Sequence, residues 1–287
     1  MPSAVRVCAL AAVLLALASC GSSAGDGDEG PRVAASFYPL QWVTERVAGA
    51  GAGVDNLTPP GAEPHDLELG PRDVATLGQA DLVVYLSGFQ AAVDDAVQQE
   101  AAESSLDVRE AGEVGRDPHF WLDPTRLADV ADAVAERLGD VDPTHATAYV
   151  TRAGQVRADL EALDAELAAG LAGCAGTELV TSHAAFGYLA DRYGMTQVGI
   201  SGFSPDAEPS PRDVARAAAF VEAHDVHTIY YETLVSPDVA ETVARETGAR
   251  TAVLDPLEGL TDASLGEDYL EVMRANLETL REGQPCR

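Results

Sequence analysis

The sequence predicts an α/β protein with two parallel-sheet βα lobes joined by one long backbone helix. Short runs of β-branched residues alternate with amphipathic, alanine-rich stretches, and Pro, Gly and Asp separate them. This alternation is typical of βαβ units, which build parallel sheets. The same plan occurs before and after an uninterrupted helical stretch in the middle of the chain, which indicates two similar lobes.

The first lobe is expected to span residues 32–141. Its strands are predicted at Val33–Ser36, Gly53–Leu57, Leu82–Leu86 and Leu106–Val108. Its helices are predicted at Pro39–Ala48, Pro71–Gln79, Ala91–Glu100 and Pro124–Leu138.

The linking helix is predicted over residues 142–171. Asp142 suits the N-cap and Pro143 the first helical position. Apolar residues recur every three or four positions along it and form one stripe: Tyr149, Ala153, Val156, Leu160, Leu163, Leu167 and Leu171. We therefore expect a helix of roughly 40 Å that runs along both lobes. A coiled-coil partner helix is the alternative, but the stripe lacks a regular a/d pattern.

The second lobe is expected to span residues 172–287. Its strands are predicted at Glu178–Thr181, Gln197–Ile200, Thr228–Tyr231 and Thr251–Leu254. Its helices are predicted at Ala184–Tyr193, Pro211–Ala223, Pro237–Thr247 and Glu267–Leu280.

The N-terminus has the pattern of a secretion signal over residues 1–19. Arg6 precedes an apolar run that is too short for a permanent membrane span, and Leu17-Ala18-Ser19-Cys20 closes it. This tetrapeptide resembles the bacterial lipobox, which predicts lipidation of Cys20 and a flexible tether over residues 20–31. An ordinary signal peptide with a chance cysteine is the alternative.

Two cysteines, Cys174 and Cys286, remain for the folded body. Export permits a disulfide between them. Closing a loop of about 110 residues would stabilise the fold by on the order of 4 to 5 kcal/mol in the simple chain-entropy treatment. Two free thiols that never meet are the alternative.

The charge excludes several function classes. The chain has 47 acidic and 18 basic residues, and every basic residue is arginine. Nucleic-acid binding needs a basic face and is therefore not expected. The lack of lysine excludes Walker-type phosphate loops and Schiff-base chemistry.

Candidate metal ligands follow predicted strands in four loops. They are His65, His119, His183 and Asp255, two from each lobe. In open α/β sheets, ligands bind at the carboxyl ends of the strands. Three imidazoles and one carboxylate suit Zn²⁺. The remaining histidines, His145, His224 and His227, are read as ordinary surface or helix-end residues.

A ligating histidine needs its other ring nitrogen held by a hydrogen-bond partner. The acids near the candidate histidines in sequence are the expected partners: Glu63, Asp66, Asp117 and Asp123.

The sequence around these residues resembles the zinc/manganese solute-binding lipoproteins of ABC transporters, the cluster A-I family of metal-binding receptors. The similar motifs, in order, are E-P-H-D-L-E-L at His65, D-P-H-F-W-L-D-P at His119, S-H-A-A-F-G-Y-L at His183, Y-E-T-L-V-S-P at Glu232 and L-D-P-L-E-G-L at Asp255. The resemblance implies two lobes joined by a rigid helix and a metal in the interlobe cleft. It also implies His65, His119, His183 and Asp255 as ligands, with Glu232 near the cleft but not ligating.

The resemblance further implies a monomeric receptor, held at the extracytoplasmic face of the cell membrane by its lipid, that delivers Zn²⁺ to an ABC permease. Histidine at position 183 favours zinc, although a manganese receptor is an alternative. The segment 110–117 is short and has no histidine, unlike the His-rich loop of many zinc members. A secreted zinc hydrolase is a rival interpretation, but the sequence contains no H-E-x-x-H or G-x-S-x-G motif. A surface adhesion protein with a structural metal is a third.

Overall fold

The fold consists of two parallel four-stranded sheets with helices around them. The computed structural model describes residues 30–205 and 209–286, so the predicted signal segment and Cys20 lie outside the described residues. The first sheet has the order β2-β1-β3-β4 and the second the order β6-β5-β7-β8, so both halves repeat one topology. The predicted α/β class with two βα lobes is confirmed.

The first half contains strands β1 to β4 and helices α1 to α4. The strands are β1 (Arg32–Ala35), β2 (Gly53–Asn56), β3 (Leu82–Tyr85) and β4 (Ser105–Asp107). The helices are α1 (Tyr38–Ala48), α2 (Pro71–Gln79), α3 (Ala91–Glu100) and α4 (Pro124–Val141), and a 3₁₀ turn over Phe120–Leu122 precedes α4.

The second half contains strands β5 to β8 and helices α6 to α9, after the long helix α5 (Ala146–Leu171). The strands are β5 (Glu178–Thr181), β6 (Thr196–Gly199), β7 (Thr228–Tyr231) and β8 (Arg250–Val253). The helices are α6 (Gly187–Arg192), α7 (Pro211–Ala223), α8 (Asp238–Thr247) and α9 (Tyr269–Gly283).

The linking helix begins later than the sequence predicts, at Ala146. Asp142 is not its N-cap but the C-cap of α4, where its N–H donates to the Leu138 carbonyl at 2.8 Å. The Asp142 carboxylate accepts from His145 Nδ1 and Tyr149 Oη, both at 2.7 Å. These side-chain hydrogen bonds stabilise a turn between α4 and α5, and the first helical residue is Ala146 instead of the predicted Pro143, three residues later.

The predicted apolar stripe of α5 is its buried face, with the same seven residues. The helix packs on α1 of the first half and on α9 of the second, as well as along α4. A Cβ at Gly170 would lie 2.7 Å from Leu277 Cδ1, so glycine allows α9 to approach α5 closely. The helix therefore holds parts of both halves in one apolar core.

Direct contacts also join the two halves. Trp121 Nε1 donates to the Pro256 carbonyl at 2.8 Å, and Tyr269 Oη donates to the Trp121 carbonyl at 2.6 Å. The Trp42 and Tyr269 rings lie 4.8 Å apart, and Arg46 pairs with Asp268 at 2.8 Å. Since Trp121 and Tyr269 are fully buried, opening the cleft widely would break hydrogen bonds inside the core.

We expect only a small rearrangement of the two halves when a metal binds, because the long helix and these buried contacts resist hinge bending. Small-angle scattering of metal-free and metal-loaded protein should give radii of gyration that differ by less than about 1 Å. A clear compaction of several ångström on metal addition would contradict this prediction.

Cys174 and Cys286 lie together with their Cα atoms 4.1 Å apart, an arrangement compatible with a disulfide that would hold the end of α9 next to the end of α5. Within the described residues, every helix is too short or too polar to span a membrane.

Candidate metal centre

Three imidazoles and one carboxylate meet between the two halves. Glu258 Oε1 lies 3.1 Å from His65 Nε2, 2.8 Å from His119 Nε2 and 3.4 Å from His183 Nε2. The Nε2 atoms of His119 and His183 are 3.4 Å apart. Among the described residues, these four form the only cluster of His, Cys, Asp and Glu side chains that could hold a metal ion.

The four side chains come from loops at equivalent ends of the two sheets. His65 follows β2 and His119 directly precedes the 3₁₀ turn before α4, whereas His183 follows β5 and Glu258 follows β8. Two donors therefore come from each half, as the sequence predicts for a cleft site. His119, His183 and Glu258 are buried, and His65 is partly buried.

The spacing of these donors suits a tetrahedral zinc ion. Zinc bonds of about 2.0 to 2.1 Å place the donors of a tetrahedron about 3.3 Å apart. The separations between Glu258 Oε1 and the imidazole nitrogens are 2.8 to 3.4 Å, which is the range that such a site requires to within about 0.5 Å. The second oxygen, Glu258 Oε2, is buried without a hydrogen-bond partner among the described residues. A cation would offset the cost of burying this carboxylate.

Two carboxylates orient the buried histidines. Asp117 Oδ1 accepts from His119 Nδ1 at 2.6 Å, and Glu232 Oε1 accepts from His183 Nδ1 at 2.5 Å. Each bond places the proton on Nδ1 and leaves Nε2 to act as the ligand. Asp117 is one of the partners that the sequence predicts. Glu232 directly follows β7 and lies 49 residues after His183 in the chain, so proximity in sequence does not reveal it as the partner of His183.

The other predicted partners lie elsewhere. Glu63 Oε2 accepts the backbone N–H groups of His65 and Asp66 at 2.9 and 3.3 Å, so it shapes the loop. Asp66 is exposed. Asp123 caps α4 by accepting from Thr125 N at 2.9 Å.

Helix α6 begins at Gly187, three residues later than predicted, because the segment before it presents His183. Thr181 Oγ1 donates to the His183 carbonyl at 2.5 Å, and Ala184 N donates to the Gly202 carbonyl at 2.8 Å. These bonds keep the residues around His183 out of the helix.

Asp255 does not join the histidine cluster, in contrast to the ligand set expected from the sequence. Its Oδ1 accepts from Leu257 N and its Oδ2 from Ser264 Oγ, both at 2.8 Å. Its backbone pairs with the side chain of Asn276 through two further bonds of 2.9 and 2.7 Å. Asp255 thus folds the loop that delivers Glu258 to the imidazoles. The motif L-D-P-L-E-G-L contains two acids, Asp255 and Glu258, so Glu258 could have been considered as the fourth ligand. The sequence does not show which of the two faces the cleft.

The remaining histidines lie outside the cluster, as predicted. His145 bonds to Asp142 at the start of α5, and His224 stacks on Phe220 with ring centroids 4.0 Å apart. His227 is exposed and lies 3.6 Å from Asp225.

Neighbouring carboxylates change the proton affinity of the buried histidines. Burial alone would lower the pKa of His183, but hydrogen bonds to Glu232 and Glu258 outweigh it and raise this pKa to about 10. The pKa of His119 is likewise raised, because its bonds to Asp117 and Glu258 outweigh burial. Burial would raise the pKa of Glu258, yet bonds to the three histidines hold it well below its usual range.

We expect metal affinity to fall steeply as the pH is lowered. The pKa of about 10 means that His183 carries an extra ring proton at neutral pH when no metal is bound, and a metal must displace it; the raised pKa of His119 acts in the same direction. Below these pKa values, affinity should fall roughly tenfold per pH unit for each displaced proton. Competition titrations at several values between pH 7.5 and pH 5 measure the slope, and calorimetry in buffers of different ionisation heat counts the protons. Affinity that is unchanged over this range would contradict a histidine site.

Comparisons with known proteins agree with this site and fold. Residues 33–283 match the family model described as zinc-uptake complex component A, periplasmic. The high-affinity zinc uptake system protein ZnuA of Bacillus subtilis is 32% identical over 303 residues, covering 95% of each protein. The zinc-binding lipoprotein AdcA of Streptococcus pneumoniae is 34% identical and aligns with 93% of this chain, which spans 58% of AdcA.

A solved structure shows the same architecture. The laminin-binding protein Lmb of Streptococcus agalactiae, described as bifunctional with adhesin and metal-transporting activity, superposes with a TM-score of 0.80. It is 35% identical, and the match covers 88% of this chain and 99% of Lmb. The family resemblance inferred from the motifs is thereby confirmed, and the chain belongs to the family of periplasmic zinc-uptake complex component A proteins.

Proposed function

We propose that this protein is the extracytoplasmic receptor of an ABC importer and that it captures Zn²⁺ for delivery to the permease. The ligands in this proposal are His65, His119, His183 and Glu258. The observation that carries it is the convergence of three Nε2 atoms and one carboxylate oxygen between the two halves, with all four donor atoms within 4.8 Å of one another. Relatives named for zinc uptake and zinc binding support the same function.

A receptor must release its metal, and the way in which the two halves are joined supports reversible binding. Each half has its own sheet, and α5 and the Trp121–Tyr269 contacts join the halves without a metal. The protein should therefore stay folded when the metal leaves. A structural zinc site behaves differently, because its metal supplies much of the folding free energy. This contrast separates the receptor from an adhesion protein whose metal is structural.

The receptor is proposed to be monomeric and tethered to the outer face of the cell membrane through lipid on Cys20. The lipobox-like sequence Leu17-Ala18-Ser19-Cys20 supports the anchor, as does the lipoprotein name of the AdcA relative. A Cys20→Ser variant should be released into the medium, whereas a protein with an ordinary signal peptide would be released with either residue.

The hydrolase alternative is disfavoured by the donor set. Catalytic zinc sites keep a coordination position for water and place a general base beside it. Here four protein donors would fill the four positions of a tetrahedral zinc ion, and the nearby carboxylates of Asp117 and Glu232 are engaged with histidine Nδ1 atoms. We infer a binding site rather than a catalytic one.

Metal analysis of protein purified without chelator tests the proposal. We expect one zinc per chain, removable by a chelator and restored by added Zn²⁺. Circular dichroism should show the metal-free protein folded. A protein that unfolds on chelation would indicate a structural site, and one that takes up no zinc would contradict the receptor function.

A further inference from the structure

The loop that carries Asp117 belongs to the first half of the chain, but a side chain of the second half also holds it. Tyr188, on α6, places its hydroxyl between two backbone groups of this loop. Tyr188 Oη accepts from Gly115 N at 2.8 Å and donates to the Asp117 carbonyl at 3.2 Å. One tyrosine of the second half therefore fixes two peptide groups that lie just before His119.

Arginines of the first half hold the same loop. Four successive carbonyls, those of residues 112–115, accept from Arg109 or Arg126 at 3.0 to 3.3 Å. The guanidinium carbon of Arg126 also lies 4.8 Å from the centroid of the Tyr188 ring, which is within the range of cation–π attraction. The loop and the tyrosine ring are thus held together by hydrogen bonds and by this contact between the halves.

The residue before Tyr188 leaves room for the Asp117 carboxylate. A Cβ at Gly187 would lie 2.5 Å from Asp117 Oδ2 and 3.4 Å from Gln197 Oε1. Both atoms are ends of side chains, so a methyl group at position 187 would displace the carboxylate rather than the backbone. The other oxygen, Asp117 Oδ1, accepts from His119 Nδ1 at 2.6 Å. Asp117 therefore lies against the second half, whereas the imidazole that it orients belongs to the first.

We propose that Tyr188 is a positioning residue of the metal site, which holds the loop so that the Asp117 carboxylate stays on His119 Nδ1. The inference rests on the proposed function and deepens it, because His119 is one of the proposed zinc ligands. Its consequence is a coupling between the halves. The contact of α6 with the loop keeps His119 Nε2 directed at the metal, and loss of this contact loosens one ligand without removing it.

Three variants test the role of Tyr188. Tyr188→Phe and Gly187→Ala should each weaken zinc binding roughly tenfold, the lower end of the losses caused by disturbing groups that support a ligand. Asp117→Ala should lose at least as much. Adding Tyr188→Phe to Asp117→Ala should cost no further affinity, because the hydroxyl acts through Asp117. Competition titration against a zinc chelator measures all four proteins and the parent.

Two matched controls separate this effect from a general loss of stability. Tyr193→Phe removes a hydroxyl near the end of the same helix, where it donates to Asp164 on α5 at 2.9 Å. Gly154→Ala adds a methyl group to α5 where a Cβ would point into open space among the described residues. Both controls should bind zinc like the parent.

NMR of the histidine rings gives a readout that a merely structural tyrosine would not change. The His119 Nδ1 proton should exchange slowly with water in the parent and at least several-fold faster in Tyr188→Phe and Gly187→Ala, with or without zinc, while circular dichroism stays unchanged. An unchanged His119 signal in both variants, or an equal loss of zinc affinity from Tyr188→Phe with and without Asp117, would overturn the proposal. A parent that takes up no zinc would count against the receptor function, and the zinc-free His119 signal would still decide the role of Tyr188.

Discussion

Replacing Glu258 by glutamine is expected to weaken zinc binding by more than about 100-fold, the upper end of the losses caused by changing groups that only support a ligand. Glutamine keeps the shape of the side chain but removes the negative charge that faces all three imidazoles. Asp255→Asn should stay within about tenfold of the parent, because asparagine can still accept from Leu257 N and its own oxygen contacts no histidine. Competition titration against a zinc chelator measures both affinities.

The histidine variants extend this comparison. His65→Ala, His119→Ala and His183→Ala should each lose zinc affinity by orders of magnitude with the fold intact, because the cores of the two halves lie outside the cluster. His224→Ala is the control, since this side chain is 44% exposed and stacks on Phe220. If Asp255→Asn fails to bind while Glu258→Gln binds like the parent, the assignment of the fourth ligand is wrong.

The parent is expected to prefer Zn²⁺ to Mn²⁺ by several orders of magnitude, and His183→Glu should lose part of this margin. Imidazole suits zinc, carboxylate suits the harder manganese ion, and the Irving–Williams order already places Zn²⁺ above Mn²⁺. At position 183 the change acts directly on the donor set, because His183 Nε2 lies 3.4 Å from both His119 Nε2 and Glu258 Oε1. Titrations of each metal with parent and variant give the ratio of affinities.

A matched control is His224→Glu, which introduces the same charge at a surface position. It should leave the zinc-to-manganese ratio unchanged, which shows that the effect of His183→Glu is local. A parent that binds Mn²⁺ as tightly as Zn²⁺ would contradict the zinc assignment and leave only a receptor for divalent metals.

The periodicity of apolar residues and the positions of residues after predicted strands were enough to predict the fold class, the buried face of α5 and the three clustered histidines. The apolar stripe of α5 appears in the structure residue for residue, because a helix of this length has only one apolar face to bury. The three histidines come together because parallel strands bring their carboxyl ends to one edge of each sheet. Cys174 and Cys286 likewise lie together in the structure, and no other cysteine lies among the described residues.

Tertiary hydrogen bonds decided the points that local sequence leaves open. Asp142 caps the end of α4 rather than the start of α5, and its carboxylate accepts from His145 before α5 and from Tyr149 in the first turns of α5. Asp255 and Glu258 are both acids in one short loop, and neither periodicity nor charge distinguishes them. Asn276 on α9 and Ser264 engage Asp255, which leaves Glu258 to face the imidazoles. A sequence shows which donors reach the edge of a sheet, but the direction of each side chain depends on partners that are distant along the chain.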